Sequence, residues 1–125
     1  RGACHVALLT AAGPDGAAAN ALAVADGRAV PNQREMRGWT EDEWADAYER
    51  LRRRDWTDEL AAITENGRAA RAQIEDATDR VCAASFDEEA QARTITIEDE
   101  LVSAARALQA SGAMPYPNPT GTKLP

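Results

Sequence analysis

Apolar and polar residues along this chain recur mostly at the helical period, and Gly, Pro and capping residues cut the pattern into blocks. In residues 3 to 12, "ACHVALLTAA", Leu8 and Leu9 share a side with Cys4 or His5 at helical spacing. "GPDG" at 13 to 16 breaks this block. Asp15 can then cap a second, Ala-rich helix over 16 to 25, which ends at Asp26 and Gly27. Pro31 opens a short third segment, 31 to 37, that runs into Gly38 and Trp39.

The best-marked block follows, a helix over 40 to 54. Thr40 and Glu43 have the spacing of a capping box, in which hydroxyl and carboxylate satisfy backbone N–H groups reciprocally. Acids fill the first turn and Arg50, Arg52, Arg53 and Arg54 the last ones, as the helix dipole favours. Trp44, Ala47, Tyr48 and Leu51, spaced i, i+3, i+4, i+7, form one apolar face. Residues 55 to 63, "DWTDELAAI", are too few for another helix and predict a brief hairpin or wing, with Trp56, Leu60 and Ile63 inward. Thr64 caps the next helix, whose face continues through Ile74, Thr78 and Val81 to about residue 84. A last long helix spans about 88 to 111, weakened locally by the β-branched "TITI" at 94 to 97 and ended by Gly112. Four Pro between 115 and 125 predict an extended tail. The expected fold class is mainly α. It comprises a winged-helix-like helical domain over 1–112, with a short β-wing and a long C-terminal helix, and a Pro-rich tail over 113–125.

Composition changes this picture in one respect. Of the 125 residues 28 are Ala, whereas Val, Ile, Leu and Phe together number only 18. Ala favours helix and lets helices approach closely, but it gives little apolar area to bury. The helices therefore need more protein to complete them, either a second chain, a missing half or a second copy. The first residue is Arg1, and no basic start with an apolar stretch follows. The chain is accordingly read as a fragment, a processed chain or one piece of a split protein. No run of 18 apolar residues exists, so no membrane span is expected. Two scattered cysteines, Cys4 and Cys82, suit a reduced, cytoplasmic protein. The net charge of −7 is local: residues 75 to 100 hold nine acids against Arg80 and Arg93, and the rest of the chain balances. That stretch is either a solvated helix face or a surface for a basic partner.

Candidate chemistry is sparse. His5 is the one His; it is either a core residue or a general base whose partners lie elsewhere. Cys4 points about 100° away from it on a helix, so the two form no dyad. No H-x-x-x-H or C-x-x-C spacing occurs, and no metal site is expected. No phosphate-loop spacing occurs either, and no cofactor is indicated. Trp39, Trp44, Tyr48 and Trp56 cluster along the chain around the best-marked helix. They are either its core or the walls of a small-molecule pocket in which Arg37 orients an anion.

The run "RGWTEDEWADAYERLRRRDWTDE", with "ITENGRAARAQIEDATDR" behind it, resembles the SalK-like helix-turn-helix family of actinomycetes. Arg37, Gly38, Trp39, Thr64, Gly67, Arg68, Ile74, Glu75, Thr78 and Asp79 carry the match. "GACHVALL" and "PYPNPTG" are also similar to the second half of that family. Asp55 stands where the wing usually begins with Gly, and Ile63 replaces the usual Leu. The resemblance implies half of a usual family member, a winged-helix fold and a place in natural-product gene clusters.

These readings lead to one expectation and two alternatives. The expectation is a subunit of a split or heteromeric natural-product biosynthesis protein. It would contribute pocket walls, with His5 as the catalytic candidate and Arg37, Trp39, Trp44, Tyr48 and Trp56 as the ligand-binding ones. The first alternative is a DNA-binding regulator of such a cluster. Against it, from Thr40 to Asp55 six acids face four Arg, and the acids occupy the end that would enter the groove. The second alternative is a structural interaction subunit.

Overall fold

The computed structural model describes residues 1–84 and 86–113, and the expected Pro-rich tail falls outside them apart from Ala113. Among the described residues six helices follow one another: α1 (Gly2–Ala12), α2 (Gly16–Ala25), α3 (Gln33–Arg37), α4 (Glu41–Arg53), α5 (Glu65–Ala83) and α6 (Glu88–Ala110).

Local chemistry sets their ends. The carboxylate of Asp15 accepts from Ala18 N at 2.9 Å and starts α2. Thr40 and Glu43 close a reciprocal capping box at the start of α4. Thr64 and Asp87 cap α5 and α6 with one bond each, their side chains accepting from Gly67 N and Ala90 N. The α3 helix is shorter than Pro31 suggested, and Asn32 makes no side-chain cap bond. It stops at Gly38 (φ 75°), where Gly38 N bonds Glu35 O and Trp39 N bonds Arg34 O. That is a Schellman stop with the left-handed residue it requires. A three-residue turn containing that glycine then leads into α4, as in a helix-turn-helix.

The same device ends α4 without glycine. Asp55 takes φ 58°, its N–H bonds Arg52 O, and Trp56 N bonds Leu51 O. Asp is among the side chains that tolerate this conformation. It also spends its oxygens locally, the carbonyl accepting from Thr64 Oγ1 and the carboxylate from Asn66 Nδ2.

The expected β-wing is not built as strands. Residues 57 to 63 form a hairpin held by one antiparallel bridge, Thr57 to Ile63. The Asp58 carboxylate accepts from the backbone of Leu60 and Ala62, so a side chain does the work of ladder bonds at the tip. Leu60 lies on that tip and is 88% exposed, whereas Ile63 is buried; the expected inward position of Leu60 is corrected. The inward face of α5 runs through Ile74 and Thr78 and stops before Val81, which is exposed. The "TITI" segment does not interrupt α6, within which Thr94 and Thr96 donate their hydroxyls to Ala90 O and Ala92 O.

Helix packing is chiefly α2 on α4, α1 on α5 and α3 on α2. The core is small: Ala17, Ala18, Ala21 and Leu22 from α2, Ala47 and Leu51 from α4, Ile63 from the hairpin and Ile74 from α5. Four of these eight are Ala, so the backbones of α2 and α4 come close. Neither α1 nor α6 buries a residue.

The hairpin is clamped on α5 at Gly67, where an added Cβ would lie 2.1 Å from Trp56 O and 2.9 Å from Ile63 Cγ1. In an open helix Gly→Ala stabilises by roughly 0.5–1 kcal/mol. Here Gly67→Ala is expected to destabilise instead, by about 2–3 kcal/mol, since a backbone atom cannot swing aside. Urea unfolding measures the sign; a stabilised variant would mean that the hairpin does not sit on α5.

Candidate functional site

A tight turn sets the geometry between α1 and α2. Gly13 adopts φ 101°, and a Cβ there would meet the Arg54 guanidinium at 2.2 Å. Arg54 Nη1 donates to Ala12 O at 2.8 Å, satisfying the end of α1. Asp15, the cap of α2, also pairs with Arg50 of α4 at 2.8 Å. The bond from Ala18 N, and after it Arg50, hold the Asp15 carboxyl below the ordinary carboxylate range against the effect of burial.

Beyond this turn a cleft of about 410 Å³ lies between the two helices. One wall is α1, with His5, Leu9 and Thr10; the other is α2, where Gly16, Ala19 and Ala23 keep the surface low and Asn20 supplies an amide. Arg37 from α3 and Arg71 from α5 complete it. Two guanidinium groups, an imidazole, an amide, a hydroxyl and the Asp15 carboxylate, itself paired with Arg50, therefore edge one concavity that also has aliphatic walls. Such a mixture suits a small ligand with a carboxylate or similar anion.

A charge network backs the cleft. The Arg71 side chain is only 12% exposed; its Nε lies 3.2 Å from Asp26 Oδ2 but off hydrogen-bond geometry, and its Nη2 is 3.6 Å from Glu75 Oε1. Burial, and then Arg28 nearby, push the Arg71 pKa down, with Asp26 and Glu75 opposing. Glu75 also receives Arg1 at 2.6 Å and Arg28 at 3.7 Å, and lies 4.0 Å from His5 Nε2. Burial works to raise the Glu75 carboxyl. The bond from Arg1, with the charges of His5, Arg1 and Arg71, outweighs it and holds the group below its ordinary value.

The position of His5 follows from one proton. The Thr78 hydroxyl donates to Ile74 O at 2.7 Å, so its oxygen accepts from His5 Nδ1–H at 3.2 Å. This fixes the ring, with Nε2 as the other nitrogen. Nε2 lies 4.0 Å from Glu75 Oε1, and the Thr10 hydroxyl lines the same cleft as the ring. No group of three or more His, Cys, Asp or Glu among the described residues is placed to hold a metal.

The structure brings His5 and Arg37 together and sets the four aromatic residues elsewhere. Trp39 lines a neighbouring hollow of about 280 Å³ with Asp15, Gly16, Glu43 and Arg50. Trp44 and Tyr48 stack edge-on at 5.9 Å against the core, and Tyr48 donates to Ala21 O. Trp56 lies under the Arg54 guanidinium at 5.3 Å and lines an apolar groove of about 280 Å³ between α1 and α5, with Leu8 and Ile74. Sequence reasoning missed Arg71 and Asn20. Arg71 was detectable: with Ile74 and Thr78 it is spaced 3 and 4 along α5, a charge on the inward stripe that calls for partners. Asn20 carries no such signal.

Residues 1–115 match a family described as a helix-turn-helix family. No curated protein and no solved structure matches the chain.

Since Glu75 titrates below its ordinary value of 4.5 in the folded chain, it stabilises the fold fully above that pH. That contribution is lost as pH falls through the lower, folded value. Glu75→Gln is expected to lower the thermal midpoint at pH 7 by roughly 5 °C and to flatten the acid limb below pH 4.5. Equal acid limbs in both proteins would show that the network does not couple to folding.

Proposed function

The chain belongs to a helix-turn-helix family, and from that premise we propose that it uses the helical frame to hold a small anionic molecule in the α1–α2 cleft. It acts as one subunit of a small-molecule biosynthesis assembly of the SalK-like kind. The observation that carries this reading is the convergence of His5, Asn20, Arg37 and Arg71, drawn from four helices, on one concavity. In this role Arg37 and Arg71 meet the anion, and Asn20 and His5 orient its polar groups. His5 serves as a general base only towards a group that the ligand or another chain brings to Nε2. Trp39 borders the cleft across Gly16 and is the aromatic residue best placed to extend it.

The electrostatics of α4 argue against duplex DNA as the ligand of this chain alone. α4 precedes the hairpin, the position from which a groove-reading helix works. Glu41, Asp42, Glu43 and Asp46 are exposed on its first half, which contains no Lys or Arg. Its later arginines are engaged within the chain, Arg50 with Asp15 and both Arg52 and Arg53 with Glu49. A regulator built on this subunit would need its phosphate contacts from another polypeptide.

Titration calorimetry with benzoate, a simple aromatic carboxylate, tests the reading. Saturable binding is expected, weakened about tenfold or more by Arg37→Ala or Arg71→Gln, the scale of one lost charge-assisted bond. Absence of carboxylate binding, together with retardation of duplex DNA at about 0.1 M salt, would replace it with the regulator.

A further inference from the structure

Helix α6 carries a pattern that the cleft does not use. Ala90, Thr94, Ile97, Leu101, Ala104 and Leu108 follow one another at spacings of 4, 3, 4, 3 and 4. That is the a/d rhythm of a coiled coil sustained over three heptads. The seam is uncovered: Ile97 is 45% exposed, Leu101 60% and Leu108 47%, and α6 buries no residue along its length. Soluble helices of 23 residues keep such a stripe for another helix.

The flanking charges indicate which helix. With Thr94 and Leu101 at a, the e positions are Gln91, Glu98 and Ala105, and the g positions are Arg93, Glu100 and Ala107. In a parallel, in-register pair each g residue faces the e residue five places on in the other chain. Arg93 then faces Glu98 of the partner subunit, twice by symmetry, and Glu100 faces only Ala105 of the partner subunit. An antiparallel pair that still covers the whole seam sets Glu98 against Glu98 of the partner subunit. It also sets Glu100 against Glu100 of the partner subunit. The excess acids Glu88, Glu89 and Asp99 lie at b, c and f, away from the seam, so the acidity of this helix does not oppose self-pairing. Arg93 is 77% exposed and among the described residues pairs with Glu89 one turn back, an exposed pair it can exchange for a partner. Ile95 and Val102, both at b, form a second short patch that this pairing leaves open.

We infer that α6 is a homodimerisation helix: two copies of this chain pair in parallel through Thr94, Ile97, Leu101 and Leu108, with Arg93 of each meeting Glu98 of the partner subunit. This inference stands independently of the ligand reading. Thr at a and Ala at d make a modest seam, so the dimer is expected to dissociate on dilution.

Sedimentation equilibrium of the whole chain over a dilution series tests it. The wild type is expected to move from monomer to dimer with rising concentration. Leu101→Asp should abolish the dimer while leaving the melt of the remaining helices in place, because Leu101 is 60% exposed and α6 buries no residue. Arg93→Glu should weaken association about tenfold, and adding Glu98→Arg should restore it. A chain that stays monomeric, or a dimer indifferent to Leu101→Asp, would overturn the proposal. A charge swap that fails to rescue would overturn the parallel register.

Discussion

The close approach of α2 and α4 is the contact on which the rest of the molecule depends. Ala17, Ala18 and Ala21 face Ala47 and Leu51 across it, and Leu22 and Leu51 are the large apolar side chains fully enclosed. An alanine methyl removes little area from water, so the contact works by bringing backbones together and filling space densely rather than by bulk. Trp39, Trp44, Tyr48 and Trp56 lean on the edges of this small core and screen it. Their large rings substitute for the branched aliphatics the chain lacks, which is why they serve packing first.

A core this thin gives the ends of the helices unusual weight. Asp15 caps α2 and pairs with Arg50 of α4, so one carboxylate both starts a helix and fixes its neighbour. Arg54 closes the end of α1 and covers Trp56. Asp55 supplies the left-handed stop of α4 and bonds the start of α5 through Thr64 and Asn66. None of these is worth more than a small increment alone. Together they lock the turn that opens the α1–α2 cleft, and the cleft inherits its shape from them.

Charge is arranged differently from one group of helices to the next. Between α1, α2 and α5, Arg1, Arg28 and Arg71 balance Asp26, Glu75 and Asp79, so guanidinium groups can sit half-buried beside a cavity. On α4 the acids lie outward at the end that would meet a nucleic acid. On α6 they lie away from the apolar seam.

The sequence by itself determined the helices, since caps and periodicity act within a few residues. Thr40 with Glu43, Asp15 and Thr64 sit where their spacing placed them, and the heptad of α6 is written in the chain. It also determined that the core would be short of bulk. Only the tertiary structure decided that the hairpin closes with a single bridge and an outward Leu60, because Asp58 captures its tip and Gly67 fixes its base. Only the tertiary structure placed His5, Arg37 and Arg71 around one cavity and separated Trp56 and Tyr48 from it. Those residues lie tens of positions apart, and their meeting depends on the angles at which α1, α2 and α5 cross. No local spacing encodes those angles; they are set by how closely alanine-lined helices can approach.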